Sequence, residues 1–278
     1  DDKILTDWNG LMIASLARGG RILGDTSYTA AATKAADFLL THLKDSQGRL
    51  LKRSRQGKAG LPAHIEDYAF AAWGLLNVYE DTYEPKYLTE AMDLTDTLLK
   101  HFWDDDKGGL FLTADDGETL LVRGKEIYDG AIPSGNSVAA LNLVRLARMT
   151  GNRDYEEKVQ DLLGSFSGTV EASPSGHTQF MSALDFALGP AYEVVICGNS
   201  TPESRNLLTP LERDFRPSMV TLFQTPETRS QLSAAAPFTA EMKMRNGQPT
   251  AYVCKNFSCN QPPTDLNKML ASLTSVEK

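Results

Sequence analysis

Three stretches of this sequence repeat one pattern, and the pattern limits the folds open to the chain. They are "DWNGLMIASLARGGRILGDTSY" ending at Tyr28, "IEDYAFAAWGLLNVYEDTYEPKY" ending at Tyr87, and "PSGNSVAALNLVRLARMTGNRDY" ending at Tyr155. In each, a polar start leads into an apolar helix, a Gly- or Asp-containing turn, and a tyrosine that opens a second helix. The unit is a helical hairpin with a period of about sixty to seventy residues, longer than most solenoid repeats.

The second helix of the unit is two-faced. Tyr87, Ala91, Leu94, Leu98 and Phe102 form one stripe at helical spacing, while Glu90, Asp93, Asp96 and Lys100 take the other side. The first helix, such as Ala69 to Tyr79, is apolar nearly all round and reads as buried on every side. Alternating inner and outer helices of this kind predict a mainly α fold, an α/α toroid whose inner helices are parallel and begin at one end around a cavity. Short extended pieces are expected after the outer helices, at 46–53, 106–113 and 173–180.

The last third changes character. "YEVVICG" at 192–198, "SMVTLFQ" at 218–224 and "PTAYVC" at 249–254 read as short buried strands, with helices around 202–213, 227–236 and 265–273. Strand-helix alternation predicts a small parallel α/β unit. Gly189-Pro190 stops the preceding helix, so the toroid hairpins are assigned to 1–189 and the α/β unit to 190–278.

Charge and composition exclude several classes of function. A net charge of −8 without a clustered Lys/Arg surface argues against nucleic acid or an anionic membrane as partner. The densest basic stretch, "LKRSRQGK" at 51–58, reads as solvating a turn. No run approaches the roughly 20 apolar residues of a membrane helix, and the N-terminus has no signal-peptide pattern. The opening Asp-Asp-Lys, without methionine, reads as a piece of a longer chain. Three cysteines, Cys197, Cys254 and Cys259, are too few for a disulfide framework and fit a reducing, cytoplasmic setting. Cys254 and Cys259 form C-x4-C, which lacks the second ligand pair of a structural zinc site, so small apolar packing is expected and no metal. "CGNSTPESRNLL" caps a helix with Thr201 and Pro202 and exposes amides that suit an anion, but it is neither a P-loop nor GxGxxG; a plain turn and no cofactor are expected.

If the inner helices share one end, their starts converge there. These are Thr6-Asp7-Trp8-Asn9, His64-Ile65-Glu66-Asp67-Tyr68, and Tyr128-Asp129-Gly130 with Ser134-Gly135-Asn136-Ser137. Rings that stack on sugar faces, and carboxylates, amides and hydroxyls that take sugar hydroxyls, are the equipment of a carbohydrate site. Capping alone explains any single start, since Asp, Ser, Thr and Asn are favoured N-caps. A cap needs one residue, however, and each start carries several. Glu66 and Asp67 are about 100° apart on a helix and cannot both face one substrate. A glycosidase pair needs carboxyls roughly 5 to 9 Å apart, so a partner from Asp129 or Asp7 is required. The cavity-facing acid is expected to be Asp67, then Asp129, then Glu66, with Glu66 as cap. Trp8, Asn9, His64, Tyr68, Tyr128, Ser134 and Asn136 are expected to shape the pocket. His42 and His101, late in their outer helices, read as structural; His64 and His177 lie nearer the starts and form a conceivable proton-shuttling pair.

The blocks "DDKILTDWNGLMIASLA", "IEDYAFAAWGLLNVYE", "DGAIPSGNSVAALNLVRLA", "EVVICG" and "AYVCKNFSCNQPPTD" resemble, in order and across essentially the whole chain, the C-terminal region of the spermatogenesis-associated, thioredoxin-domain-containing proteins and their bacterial counterparts. The resemblance implies a toroid of the six-hairpin glycosidase and N-acylglucosamine 2-epimerase type. It also implies a thioredoxin-like domain and first toroid helices that this chain does not carry. Position by position, Trp8 and Asn9 match the "WNG" block, Glu66, Asp67 and Tyr68 the "EDYAF" block, and Asp129, Ser134, Asn136 and Ser137 the "DGA-PS-NS" block. His64 departs from the larger apolar residue or glycine expected there. The resulting expectation is a carbohydrate-binding or carbohydrate-processing toroid, of glycoside hydrolase or sugar epimerase type if catalytic. The alternative is a non-catalytic scaffold that presents a client to the thioredoxin-like domain.

Overall fold

A computed structural model describes residues 1–259 and 262–274. Three hairpins form the helical part: α1 (Thr6–Leu23) with α2 (Thr26–His42), α3 (Ile65–Thr82) with α4 (Pro85–Phe102), and α5 (Gly135–Thr150) with α6 (Arg153–Ala172). A further helix, α7 (Thr178–Leu188), follows a single 3-10 turn. Helices α1, α3, α5 and α7 lie side by side, each packed on the next, and α2, α4 and α6 pack outside their own partners. This is an arc of an α/α toroid. Almost every residue of α3 and α5 is buried, whereas α4 and α6 bury one stripe.

The repeat is explicit in the local geometry. Each inner helix of the three hairpins ends on a left-handed residue, Gly24, Tyr83 and Gly151, with φ of 69°, 57° and 70°. Glycine adopts that conformation freely; Tyr83 is held there by burial against Tyr79 and Phe223. The repeated tyrosine links neighbouring outer helices. Tyr87 Oη donates to Asp37 of α2 at 3.0 Å and Tyr155 Oη to Asp96 of α4 at 2.6 Å.

Two sets of contacts show that the inner helices run parallel. At their starts, the Asp7 N–H donates to Asp67 Oδ1 at 3.1 Å, and Gly135 lies against the Ile65 side chain with no room for a Cβ. At the far end, Glu80 of α3 joins Arg21 of α1 at 2.7 Å and Arg145 of α5 at 3.1 Å. Small residues set the closest approach. A Cβ on Gly10 would stand 2.5 Å from the Phe70 carbonyl carbon, and one on Gly74 would stand 2.9 Å from the Gly10 oxygen. Helices α1 and α3 therefore meet backbone to backbone, which brings Asp7 beside Asp67.

The extended pieces differ from expectation. A three-stranded antiparallel sheet forms from β1 (Ile4–Leu5), β2 (Leu51–Arg55) and β3 (Lys58–Pro62). Residues 106–113 contribute only an isolated bridge, Trp103 to Leu110, and 173–180 hold the 3-10 turn and the start of α7. The β2–β3 hairpin has a tight turn at Gln56-Gly57 and can pair with itself; the other two segments have no following strand to pair with.

Beyond α7 the chain forms β4 (Tyr192–Cys197), α8 (Pro202–Arg213), β5 (Met219–Gln224), α9 (Arg229–Ala235), β6 (Thr250–Lys255), β7 (Ser258–Cys259) and α10 (Leu266–Thr274). The sheet order is β5-β4-β6-β7. Only β4 and β5 are parallel; β6 runs antiparallel to β4 and β7 to β6, so the expected parallel unit is a mixed sheet. Residues 236–249 lead from α9 to β6, which enters with Thr250 opposite Cys197. A disulfide joins Cys254 and Cys259, which are directly opposed on β6 and β7, so apolar packing describes Cys197 alone. Among the described residues no helix is long and apolar enough to cross a membrane.

Candidate functional site at the inner-helix starts

The start of α3 is built around its third residue. Asp67 Oδ2 accepts the His64 N–H at 2.8 Å, satisfying a donor that the helix leaves open. Its Oδ1 accepts the Asp7 N–H, and Lys52 Nζ from β2 lies 3.1 Å from Oδ2. The same ammonium reaches Asp7 Oδ2 at 3.0 Å. Asp67 therefore makes the cap that was expected of Glu66, and it is fully buried. Glu66, one position earlier, stays partly exposed, and its carboxylate has no side-chain partner among the described residues.

Lys52 thus bridges two carboxylates, with Glu66 near enough to feel its charge. Burial pushes the Asp67 carboxyl up to about 6, with Asp7 adding repulsion and Lys52 and the His64 N–H opposing. Burial likewise raises Glu66. For Lys52, burial disfavours the charged form, but Asp67 and Asp7 outweigh it and hold the ammonium above its ordinary range. A carboxyl titrating near 6 beside a second raised carboxyl is equipment for proton transfer near neutral pH.

Beside this cluster, Trp8 exposes 63 % of its surface and Asn9 Nδ2 donates to the Leu5 carbonyl at 2.7 Å. Tyr68 is buried. Its hydroxyl accepts from Arg49 Nε and the Leu50 N–H, both at 3.0 Å, and Arg49 in turn pairs with Asp116 at 2.5 Å. Arg49, Asp116 and His64 help line a cavity of about 680 Å³ whose apolar wall includes Leu50, Leu61 and Leu120, a volume suited to a small ligand. His101 lies 2.9 Å from Asp115 and 3.5 Å from Asp116. These three side chains could hold a cation, although Arg49 already occupies Asp116.

The starts of α5 and α7 use similar residues differently. Asn136 is fully buried; it accepts the Leu110 N–H and donates to the Leu110 and Glu126 carbonyls at 2.8–2.9 Å, which leaves no group for a ligand. Asp129 accepts the Ser134 N–H at 2.9 Å and, from the start of α7, the Gln179 and Phe180 N–H groups at 2.8 and 3.1 Å. Ser134 caps α5 through the Ser137 N–H at 3.1 Å. Tyr128 is exposed and meets the buried His177 edge-on. His177 bonds the Ile127 carbonyl at 3.0 Å, whereas His64 is the N-cap of α3, so the two histidines serve different starts.

The structure therefore brings Asp7, Glu66, Asp67 and His64 together and places Asp129, Ser134, Asn136 and Tyr128 at the neighbouring pair of starts. Lys52 and Arg49 were missed. Both come from the segment read as a turn and an extended piece; the two-residue spacing of Lys52 from the buried Leu50 hinted that the strand carries it inward, and nothing comparable marked Arg49, which precedes β2.

No family model matches the chain. It is 36% identical over 284 residues to spermatogenesis-associated protein 20 of Homo sapiens, a match covering 97% of this chain and 36% of that protein. The chain thus spans about a third of the length of the curated relatives it matches. Among solved structures, a sugar epimerase from a ruminal bacterium aligns over 93% of this chain and 66% of its own, with a TM-score of 0.51 at 13% identity. A cellobiose 2-epimerase from Bacillus thermoamylovorans aligns over 60% and 45%, with a TM-score of 0.50 at 16% identity. Both likenesses bear on the fold, which is that of the α/α-toroid epimerases.

Proposed function

We propose that this chain, similar over nearly its whole length to one third of spermatogenesis-associated protein 20, is a carbohydrate-binding or carbohydrate-processing arc of an α/α toroid. Its site lies at the starts of α1 and α3. The observation that carries the reading is the Asp7–Lys52–Asp67 cluster with the Glu66 carboxyl near it, at helix starts that also carry the exposed Trp8. Glu66 is the acid with a free carboxyl, available to take or give a proton at a sugar carbon or oxygen. Asp67, Lys52 and Asp7 hold the start of α3 in place and set the local charge. Trp8 offers a face for a pyranose ring. The two toroid neighbours, described as sugar epimerases, support sugar as the ligand class.

Calorimetric titration with a panel of free mono- and disaccharides tests the reading. Glu66→Gln should abolish binding heat or turnover while leaving the melting temperature unchanged. A variant that binds and turns over like the parent removes Glu66 from the site, and a parent that takes no sugar removes the carbohydrate reading.

A second reading keeps one specific observation. Trp8, Met12, Ile22 and Leu23 are exposed along one length of α1, an apolar stripe suited to another domain, such as the thioredoxin-like domain implied by the family resemblance. On that reading the toroid is a client-recognition scaffold, and full-length protein stripped of this region should lose client capture.

A further inference from the structure

At the end of the inner helices opposite the carboxylate cluster, α1 and α3 meet α8, β5 and the loop between them around a cavity of about 250 Å³. Four arginines line it: Arg18 and Arg21 of α1, Arg213 at the end of α8, and Arg216 in the following loop. The acids there already have partners. Glu80 is held by Arg21 and Arg145, Glu212 by Arg205 at 3.0 Å, and Asp214 by Arg216 at 2.8 Å. Among the described residues neither Arg18 nor Arg213 has a carboxylate within ion-pair distance. Arg18 instead stands 6.0 Å over the ring of Phe215, which is exposed at the rim.

Charge therefore accumulates with one sign. Arg21, Arg145 and Glu80 together carry one excess positive charge, and Arg18 and Arg213 add one each. This occurs in a chain whose net charge is −8. Donors are also left over: Arg21 Nε and Arg216 Nε are both buried and have no hydrogen-bond partner among the described residues. A buried donor without an acceptor is costly, and guanidinium forks match the oxygens of phosphate and carboxylate groups. Burial disfavours the Glu80 charge, but Arg145 and Arg21 outweigh it and hold the carboxyl below its ordinary value, so it remains a fixed partner of the helices.

We propose that this cavity is an anion site for a small molecule bearing a phosphate or several carboxylates, bound between the helical arc and the C-terminal sheet. Arg18 and Arg213 would close on the anion from the rim, while Arg21 and Arg216 would supply the inner donors. The enclosed volume suits a small metabolite and not a polypeptide. Because the ligand would touch α1, α8 and β5 at once, its binding would also clamp the sheet to the arc.

The probes are inorganic phosphate and citrate, titrated at millimolar concentration into the whole chain at constant ionic strength, with calorimetry and melting temperature as readouts. The double variant Arg18→Gln/Arg213→Gln removes two exposed, unpaired charges and should fold normally. The parent is expected to bind at least one probe with a rise in melting temperature, and the double variant to bind it about tenfold or more weakly. Phosphate binding without citrate binding identifies a phosphate site, and the reverse a polycarboxylate site. No binding of either probe by the parent, equal binding by the variant, or a melting shift reproduced by sodium chloride alone overturns the proposal.

Discussion

At the starts of α5 and α7, Asp129 accepts three backbone N–H groups and Asn136 closes on Leu110 and Glu126. At the starts of α1 and α3, Asp7 and Asp67 share Lys52, with Glu66 next to them. The residue types are alike and the outcomes are opposite. In the first pair Asp129 and Asn136 spend their polar atoms on backbone partners, so they hold a loop and two helices in place. In the second, Lys52 bridges Asp7 and Asp67 with Glu66 close by, and burial raises the Asp67 and Glu66 carboxyls while the lysine opposes the rise. The difference comes from the antiparallel hairpin β2–β3, which delivers a lysine to one pair of starts and nothing comparable to the other.

Removing that lysine should have the largest effect. Lys52→Met leaves Asp67 and Asp7 without their counter-charge, and breaking a pair with one buried member costs about 3 kcal/mol or more; chemical denaturation at pH 7 would read it. A loss below about 1 kcal/mol would show that Lys52 only neutralises a surface.

The pH dependence sharpens the comparison further. The folded state holds Asp67 up to about 6, above its unfolded value, so it binds a proton that the unfolded chain releases first. The contribution is fully present below the unfolded value near 4 and lost as pH rises through 6. From a shift of about two units the span is on the order of 2–3 kcal/mol. Stability measured from pH 4 to 7 should fall by that amount more in the parent than in Asp67→Asn; parallel curves would place the proton elsewhere.

The smallest effect belongs to the other pair. Asp129→Ala removes acceptors for Ser134, Gln179 and Phe180 and should cost about 1–2 kcal/mol, as the loss of a helix cap does, without changing sugar titrations. A loss of sugar binding with intact stability would return Asp129 to the site.

The helical hairpins were legible in the sequence because helix burial follows a local period. The all-apolar run of α3, the stripe of α4 and the recurring Tyr28, Tyr87 and Tyr155 need no knowledge of distant residues. The strands β4, β5 and β6 were legible as apolar runs, but their directions were not. Direction depends on where the chain re-enters the sheet, which the apolar pattern of the strand itself does not record.

Site residues were legible as a set and illegible in their uses. Asp67 and Glu66 are adjacent in a helix, and which one caps and which one stays free depends on the side chains that meet them. A glycine pair, Gly10 and Gly74, lets α1 touch α3 and brings the Asp7 N–H to Asp67; Lys52 arrives from a strand that the basic stretch at 51–58 concealed. The sequence by itself determined periodic burial, and hence an arc of inner and outer helices with polar starts at one end. Only the tertiary structure decided which polar groups are satisfied by backbone and which keep free charge, because charge balance is a sum over neighbours that lie far apart in the chain.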